Sequence, residues 1–376
     1  MVKRRRRPTR RRIPRRVGLP LIAGLTVLLV GLVVVAALAI SRGGQKATAA
    51  GSAASSGPAG RTSPSVLSRG LTSPGPSSSR SPSRKTVIAL YDPALHNCGG
   101  DPHTCGYPDA TNTGPPKGMA LRSVPGQVSR GPGWFYDPSG WVEVDGNGAV
   151  LQGLSIPYNV DVSASNVTIK DVQISAGGGD FGVSLRHTSG VTIEDSTISG
   201  QNSTDGRVDS AIDDVYGDST GMVVKNDNIS EFRTAIQIST GVVTGNYIHD
   251  PGYISGDHTN GIYVGGTTQP LTISHNTIFN NLGQTDTINL DATSSGQTVS
   301  NITVENNLLA GGGYSIYAGA ALNASTSNIV IKDNRFSAIY YAQSGQFGYL
   351  DEFDAGAPGN VWSGNIWDAT GASVSS

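Results

Sequence analysis

Short runs of alternating apolar and polar residues recur along the chain from about residue 167 onward, and each ends in a similar phrase. Examples are VTIKDVQI, VTIEDSTI, LTISHNTI, ITVENNLL and IVIKDNRF. The alternation and the many β-branched residues predict strands, and no convincing helical period interrupts them. Aligned on the last apolar residue, the phrases repeat every 19 to 31 residues, at Ile174, Ile198, Ile229, Ile248, Ile278, Leu309, Phe336 and Trp367. This period indicates a repeat architecture, and the strand pattern excludes a helical solenoid.

The residue two places before each of these positions is asparagine in most of the later repeats. Together these residues form a column, one per coil. Its members are Val172, Ser196, Asp227, Asn246, Asn276, Asn307, Asn334 and Asn365. Asparagine tolerates the left-handed conformation of a sharp bend, and its amide can hydrogen-bond to a counterpart one coil along. We therefore interpret the column as a structural ladder and assign it no catalytic role.

A second strand precedes the ladder in each repeat, as FGVSL, SAIDD, TAIQI, NGIYV, DTINL and YSIYA. Its apolar residues alternate, for example Ile236 with Ile238 and Ile262 with Val264, so these side chains should fill the interior of a stack of coils. Two columns point outward, and they contain Ser210, Thr234, Asn260, Asp286 and Tyr314 in one, and Asp213, Gln237, Tyr263, Asn289 and Tyr317 in the other. Amides, carboxylates and tyrosines suit sugars. This composition favours a carbohydrate groove over an ordinary solvated face.

Charge and complexity divide the chain into four segments. Residues 1–16 are strongly basic, residues 17–40 carry no charge, and residues 41–86 are rich in Ser, Thr, Pro, Gly and Ala. We expect a cytoplasmic tail, a transmembrane signal anchor and a disordered linker, followed by the extracellular β domain over 87–376. The alternative for 17–40 is a cleaved signal peptide and a secreted protein. Flanking charge explains the arginines, so no nucleic-acid partner is expected.

The β domain divides in turn into ends and coils. We expect residues 87–165 to form an N-terminal cap and first coil, and 166–376 to form the coils and a C-terminal cap. Aromatic residues at both ends, such as Trp134, Trp141, Trp362 and Trp367, fit the closing of an open solenoid. We expect a monomer. Residues beyond Lys85 hold 10 Lys and Arg against 28 Asp and Glu, a balance of −18 that disfavours tight binding of a polyanion unless Ca²⁺ bridges to it.

Several stretches resemble a known family. DATNTGPPKGMAL, VSASNVTIKDVQI, GDHTNGIYVGG, LTISHNTI, NNLLAGGGYSIY and GNVWSGNIWDATG look like secreted actinobacterial proteins of the pectin-lyase-like superfamily, over about residues 97–370. The resemblance implies an all-β fold, a right-handed parallel β-helix, with substrate held in an exterior groove along one sheet. Because that superfamily includes lyases, hydrolases, epimerases and inert surface proteins, the resemblance predicts the fold better than the substrate.

The stretch GDHTNGI contains the sharpest catalytic candidates, His258 and Asp257. Proteins of the resembling family often have His-x-Asp-Gly-Ile here, whereas Asn260 replaces that aspartate in this chain. A polysaccharide lyase would use Arg233 or Asn260 to neutralise a uronate and His258 or Tyr263 to transfer protons. A glycoside hydrolase needs two carboxylates, for which Asp257 and Asp286 are the candidate pair.

Substrate binding is assigned to the outward columns and to the arginine beside them: Asp213, Arg233, Gln237, Asn260, Asn289 and Tyr317. The alternative to both enzyme mechanisms is a surface solenoid without catalysis, which binds glycan or serves a structural or adhesion role. The missing aspartate at Asn260 and the long linker both suit that alternative.

Two further groups could bind metal. The acidic run DGRVDSAIDDVYGD offers Asp209, Asp213 and Asp214 as Ca²⁺ ligands, but it lacks an EF-hand pattern and also fits an acidic turn. Cys98 and Cys105 are the only cysteines, and outside the cell they should form a disulfide. A metal site made from these cysteines and His103 is the alternative, but it would be one ligand short.

Overall fold

Each repeat contains three strands, one more than the sequence pattern separates. The structure, a computed structural model, describes residues 97–177, 179–200, 208–292 and 296–376. The first fifteen strands are β1 Arg122–Ser123, β2 Arg130–Gly131, β3 Trp134–Asp137, β4 Trp141–Val144, β5 Val150–Gln152, β6 Leu154–Ile156, β7 Asn159–Val162, β8 Thr168–Lys170, β9 Gln173–Ala176, β10 Phe181–Leu185, β11 Thr192–Glu194, β12 Thr197–Gly200, β13 Val208–Asp214, β14 Val223–Lys225 and β15 Asn228–Ser230.

The remaining strands continue the same order toward the C-terminus. They are β16 Phe232–Gln237, β17 Gly241–Thr244, β18 Tyr247–His249, β19 Asn260–Gly265, β20 Leu271–Ser274, β21 Thr277–Asn280, β22 Asp286–Asp291, β23 Thr298–Glu305, β24 Leu308–Gly311, β25 Tyr314–Tyr317, β26 Ser325–Lys332, β27 Arg335–Phe336, β28 Gly348–Asp351, β29 Val361–Ser363 and β30 Ile366–Trp367. Three short 3₁₀ helices occur among the described residues, at Cys98–Gly100, Pro102–Cys105 and Ala321–Asn323.

The strands form three sheets that wind together into an all-β parallel solenoid of the right-handed type. Sheet A has the order β1-β6-β9-β12-β15-β18-β21-β24-β27-β30, sheet B the order β2-β3-β4-β7-β10-β13-β16-β19-β22-β25-β28, and sheet C the order β29-β26-β23-β20-β17-β14-β11-β8-β5. Successive coils pair in parallel. Among the strands of the described residues, the antiparallel pairs are β2 with β3 and β3 with β4, at the N-terminal end. The predicted parallel β-solenoid is thereby confirmed.

The repeat alignment read from the sequence is the register of sheet A. Ile198 pairs with Ile174 and with Ile229, and the same column continues through Leu309 to Phe336 and Trp367. These side chains point into the coil, where Ile174, Ile198 and Ile229 are fully buried. The predicted interior residues of sheet B are buried as well. Stacked apolar columns thus fill a dry interior.

The third strand arises from a bend inside each repeated phrase. VTIKDVQI forms β8 and β9, separated at Asp171, which has φ of 52°. Corresponding positive φ values occur at Asp195, Asn226, His275 and Asn306. The sequence interpretation placed the left-handed residue at the ladder position itself, but it lies one residue earlier, where small polar residues tolerate it. His275 therefore has a backbone role.

The ladder itself is confirmed as a structural element. The Nδ2 of Asn276 donates to Oδ1 of Asn307 and to the carbonyl of Val243, both at 3.0 Å, and the Asn276 backbone N–H donates to the same Oδ1 at 2.9 Å. The pattern repeats from Asn246 to Asn365, and each of these residues is at most 1% exposed. Each asparagine satisfies buried backbone groups where the coil turns.

The segment ahead of β1 lies along the solenoid, beginning at its last coil. The Asn97 N–H donates to the Asp368 carbonyl, Tyr107 stacks on His275, and the Gly114 N–H donates to the Asn226 carbonyl. This path covers a small second core that contains Cys98, Tyr107 and Phe279. The sequence predicted an N-terminal cap and first coil over residues 87–165. Among the described residues of this range, those from Arg122 onward lie at the N-terminal end of the solenoid.

Aromatic residues close both ends of the coil. Trp134 is 5% exposed and belongs to the main core near the first coil. At the other end Phe336 stacks on Trp362, and Tyr349 packs edge-on against Trp367. These contacts cover apolar interior that an unfinished solenoid would expose to water.

No helix within the described part of the chain is long and apolar enough to cross a membrane. The predicted cytoplasmic tail, membrane anchor and linker, at residues 1–16, 17–40 and 41–86, lie outside the described residues.

Candidate functional site

The outward columns predicted from the sequence lie side by side on sheet B. In one column, each residue pairs with the next across successive coils, in the order Asp213, Gln237, Tyr263, Asn289 and Tyr317. The neighbouring column runs through Ser210, Thr234 and Asn260. Parallel pairing places side chains of one column about 4.8 Å apart. Sheet B therefore carries a continuous polar stripe.

Part of this stripe forms the floor of an open cleft of about 390 Å³. The cleft is lined by Arg233, Thr234, Gln237, His258, Asn260, Tyr263, Thr285, Asn289 and Asp291. Every one of these side chains has a hydrogen-bonding group, so the lining is polar, with Tyr263 supplying its aromatic face. The volume falls within the range of ligand sites of roughly 300 to 1,000 Å³.

Hydrogen bonds hold the floor of the cleft in place. The Tyr263 hydroxyl donates to Oδ2 of Asp291 at 3.1 Å, and Nδ2 of Asn289 donates to Oδ1 of Asn260 at 3.3 Å. Gln237 Nε2 donates a long hydrogen bond of 3.5 Å to Oδ1 of Asp213, which lies on the same stripe outside the cleft. These contacts join adjacent coils and hold the tyrosine and the amides in fixed orientations.

Two buried polar atoms of the cleft lack a hydrogen-bond partner in the described structure. Oδ1 of Asn289 makes none, although only 7% of this residue is exposed. Nε of Arg233 lies 3.4 Å from Oδ1 of Asp209, an ion-pair distance, without the alignment of a hydrogen bond. Unpaired buried polar groups are costly, and they are common where a ligand supplies the partner.

Burial shifts the acidity of several groups on sheet B. Burial, followed by the charge of Asp291, raises the pKa of Tyr263, so its phenol keeps its proton at neutral pH. Burial raises the pKa of Tyr317 to about 12, with Glu352 adding to the effect. Burial also raises the pKa of Asp213 to about 6 and that of Asp286 to about 7. The phenols stay protonated and can donate hydrogen bonds, and both carboxyls are less acidic than usual.

The structure brings six of the ten predicted catalytic and substrate-binding residues together in the cleft: Arg233, Gln237, His258, Asn260, Tyr263 and Asn289. Asp213 and Tyr317 lie on the same stripe but outside the cleft lining. Asp257 accepts a hydrogen bond from the Ile254 N–H in its own turn, and Asp286 accepts one from the Tyr314 N–H. Neither carboxyl lines the cleft, because each satisfies backbone groups near the ends of the coil strands.

The exposed His258 lines the cleft. Among the described residues, no hydrogen bond or ion pair joins it to Asp257, Asp286 or Tyr263. An imidazole that acts as a base is usually oriented by such a partner. The catalytic role of His258 therefore stays a prediction.

The predicted Ca²⁺ ligands Asp209, Asp213 and Asp214 do not form a metal-ligand cluster in the described part of the acidic run. Asp209 lies beside Arg233, and both carboxylate oxygens of Asp214 accept the Ser219 N–H at 3.2 Å. Asp213 and Asp214 are consecutive strand residues, so their side chains point to opposite faces of the sheet. Within the described residues, the one group with ligand atoms close enough for a metal is Asp101, His103 and Asp109.

Cys98 and Cys105 form a disulfide, with their Cα atoms 5.7 Å apart. His103 lies between them in sequence and contacts Asp101 and Asp109 at 2.9 Å and 3.1 Å. Because both sulfurs are used in the disulfide, they are not available to a metal.

The sequence analysis missed two lining residues, Thr285 and Asp291. Asp291 lies two residues after Asn289 on β22, on the same face, so extending the outward columns by one step would have found it. Thr285 precedes β22 with φ of 41°, and no periodicity marks it.

Comparisons with known proteins add little to this geometry. No protein-family model matches the chain, and no curated protein matches it. Among solved structures, the Dettilon tailspike protein (gp208) is similar, with a TM-score of 0.34 and 14% identity, over 61% of this chain and 54% of that one. The match thus spans about half of the tailspike chain, and at this TM-score it supports no inference about ligand or activity. The pectin-lyase-like and actinobacterial part of the resemblance stays a prediction.

Proposed function

We propose that this protein binds a polysaccharide in the cleft on sheet B. The observation that carries the proposal is the cleft lining, in which Asn260, Tyr263 and Asn289 lie on adjoining coils and Asn289 keeps an unpartnered Oδ1. Hydroxyl groups of a sugar would supply the missing donor, and the tyrosine ring would cover an apolar sugar face. A parallel stack of coils offers the same kind of contact along its length, which suits a chain of repeating sugars.

The charges in the cleft favour a neutral or weakly acidic glycan. Arg233 and Asp291 are the charged side chains among the lining residues, apart from the titratable His258, and they offset each other. The domain as a whole carries a strong excess of acidic residues, so a polyanion would be repelled on approach.

Cleavage by elimination is the second candidate, favoured by Arg233, His258 and Tyr263 lining one cleft. Arg233 would neutralise the carboxylate of a uronate, and His258 would take the proton from the adjacent carbon. The glycosidic C–O bond would break as a carbon–carbon double bond forms, and the protonated Tyr263 would donate to the leaving oxygen. Hydrolysis is less suited, because Asp291 is the one carboxylate among the described lining residues and two are needed.

The experiment is a panel of neutral and uronate polysaccharides presented to the full-length chain in mild detergent. Retention on a glycan column without product supports binding, absorbance of an unsaturated product supports elimination, and new reducing ends without absorbance indicate hydrolysis. Tyr263→Phe and Asn289→Ala should each weaken retention by about fivefold or more, through the lost hydrogen bonds. Tyr216→Phe, a tyrosine outside the cleft lining, is the matched control. Absence of retention on every glycan would overturn the proposal.

The cleft lies outside the cell, on a chain anchored through residues 17–40. The support is the basic segment ahead of that uncharged run, together with the Cys98–Cys105 disulfide, which suits an oxidising compartment. Protease treatment of intact cells should remove a C-terminal epitope while the N-terminal epitope stays in the membrane fraction. Recovery of the protein from the medium with residues 1–39 removed would instead support a cleaved signal peptide.

A further inference from the structure

A second cleft, of about 600 Å³, lies at the N-terminal end of the solenoid. Its walls come from the first strand of each sheet: Arg122 on β1 of sheet A, Arg130 and Trp134 on β2 and β3 of sheet B, and Val150 and Gln152 on β5 of sheet C. It shares no lining residue with the cleft on sheet B. It is therefore a separate site, formed where the coil begins.

The charge of this cleft differs from that of the domain around it. Most described lysines and arginines have a carboxylate oxygen within 4.0 Å, namely Lys170, Arg186, Lys225, Arg233, Lys332 and Arg335. The described basic residues without such a partner are Lys117, Arg122 and Arg130. Two of these three line the N-terminal cleft, and none of its lining residues is acidic.

A third donor accompanies the two arginines. Trp134 is 5% exposed and lines the cleft, yet its indole Nε1 makes no hydrogen bond with any described residue. Glycine is required at position 131 for this placement, because a Cβ there would lie 2.4 Å from the Trp134 Nε1. The indole N–H is therefore available to donate to a ligand in the cleft.

Apart from Gln152, whose Nε2 donates to Asp171, the remaining walls are mostly apolar. Val128 and Val150 line the cleft, and Val150 is 50% exposed on its edge strand. Guanidinium groups match carboxylate and phosphate oxygens with two parallel hydrogen bonds, whereas valines suit a carbon body. The volume is sufficient for a ligand of one or two sugar rings.

We infer that the cleft of Arg122, Arg130 and Trp134 binds an organic anion, a sugar-sized molecule that carries a carboxylate or phosphate group. The two guanidinium groups hold the anionic group, the indole N–H donates to an oxygen of the ligand, and the valines contact its carbon skeleton. The site takes one anionic group rather than a polyanion, because few cations are unpaired among the described residues and the domain as a whole is strongly acidic.

The test is calorimetric titration of the full-length chain in mild detergent with glucuronate, glucose 6-phosphate, inorganic phosphate and glucose. At least one of the two anionic sugars should bind more tightly than inorganic phosphate, and glucose should not bind. The double variant Arg122→Gln with Arg130→Gln should weaken binding by about tenfold or more, because the fork contacts are lost. Lys332→Gln, which removes a cation paired with Glu305 on sheet C, should leave binding unchanged. Raising NaCl from about 0.05 M to about 0.5 M should weaken binding by screening.

Folding and self-association are measured on the same samples. If the double variant lowers the melting temperature, Arg122→Lys and Arg130→Lys replace it, since lysine keeps the charge but loses the fork, and binding should still weaken severalfold. Absence of binding by both anionic sugars overturns the inference, as does equal binding of glucose or of inorganic phosphate, or binding that the variants do not change. Light scattering that shows a wild-type dimer lost in the double variant would also overturn it, and would assign this end to a second copy of the chain.

Discussion

The backbone N–H of Asp227 donates to Oδ1 of Asn246 at 2.9 Å, so an aspartate occupies a rung of the buried asparagine ladder. Oδ1 of Asp227 accepts the Ser196 N–H at 2.7 Å, but its Oδ2 has no partner, and the residue is fully buried. Burial holds the pKa of this carboxyl well above its usual range. At this position the ladder contains a carboxyl group in place of an amide, and burial disfavours the charged form of that carboxyl.

Asp227→Asn should therefore stabilise the protein at neutral pH. The folded state binds the Asp227 proton more tightly than the unfolded chain, so the contribution of this residue to stability falls as pH rises above about 4. Asparagine has no such dependence, and its Nδ2 can donate to a strand carbonyl as Asn246 does to Val224 at 3.0 Å. We expect a gain of about 1 to 3 kcal/mol near pH 7 in urea unfolding, and a smaller gain at pH 4. Asp180→Asn, at an exposed residue, should show no gain in stability at either pH. A D227N variant less stable than the wild type near pH 7 would contradict the claim that the buried carboxyl weakens the ladder.

Asn307→Ala should be among the most damaging single substitutions in the domain. Asn307 Nδ2 donates to the Ile273 carbonyl and to Asn334 Oδ1, and its Oδ1 accepts the Asn276 N–H. Alanine leaves buried backbone groups unpaired, which should cost on the order of 3 to 5 kcal/mol in urea unfolding. Asn147→Ala removes one exposed bond to the Ser165 N–H and should cost about 1 kcal/mol or less. Equal effects would show that the ladder adds nothing beyond an ordinary surface bond.

Asp368→Asn should destabilise the C-terminal end together with the segment around Cys98. Asp368 accepts Arg335 Nε at 3.0 Å and the N–H groups of Cys98 and Gly99 at 3.0 and 2.8 Å. Both ionic side chains are at most 5% exposed, so removing one charge should cost roughly 3 to 5 kcal/mol. The control is Glu305→Gln, whose partly exposed pair with Lys332 should be worth about 0 to 1 kcal/mol. Thermal unfolding of the two variants measures the difference, and similar melting temperatures would refute it.

Asp286→Asn should flatten the stability profile between about pH 4 and pH 7. Burial raises the pKa of Asp286 to about 7, so the folded protein keeps a proton that the unfolded chain has lost. Stability from this residue is fully present below about pH 4 and declines as pH rises toward 7, by on the order of 4 kcal/mol. Asparagine retains an oxygen for the Tyr314 N–H and should remove the decline. Urea midpoints at half-unit steps of pH measure this, and an unchanged slope in D286N would refute it.

The fold was predictable because one constraint repeats in every coil. The column from Ile174 to Trp367 was found from spacing alone, since each coil must place an apolar residue at the same interior position. The bend that separates β8 from β9 was less visible. Asp171, Asn226 and His275 share its left-handed φ but no common side-chain chemistry, so backbone conformation, rather than residue type, is what repeats.

The candidate site was only partly predictable. Tyr263 and Asn289 were found because strand alternation shows which residues face outward. Asp257 and Asp286 were expected at the site because they are carboxylates on adjoining coils. Instead, Asp257 accepts the Ile254 N–H and Asp286 accepts the Tyr314 N–H. A sequence does not show whether an outward carboxyl faces solvent or is used by a neighbouring turn.

The sequence by itself determined the repeat, the strand faces and the asparagine ladder, because these follow from local periodicity that every coil shares. Tertiary structure decided the path of the segment from Asn97 back along the coils, the second core beneath it, and the clefts on sheet B and at the N-terminal end. Those features join residues far apart in sequence, such as Cys98 with Asp368 and Arg122 with Val150. Such contacts depend on how coils and loops meet in space, and no periodicity along the chain records them.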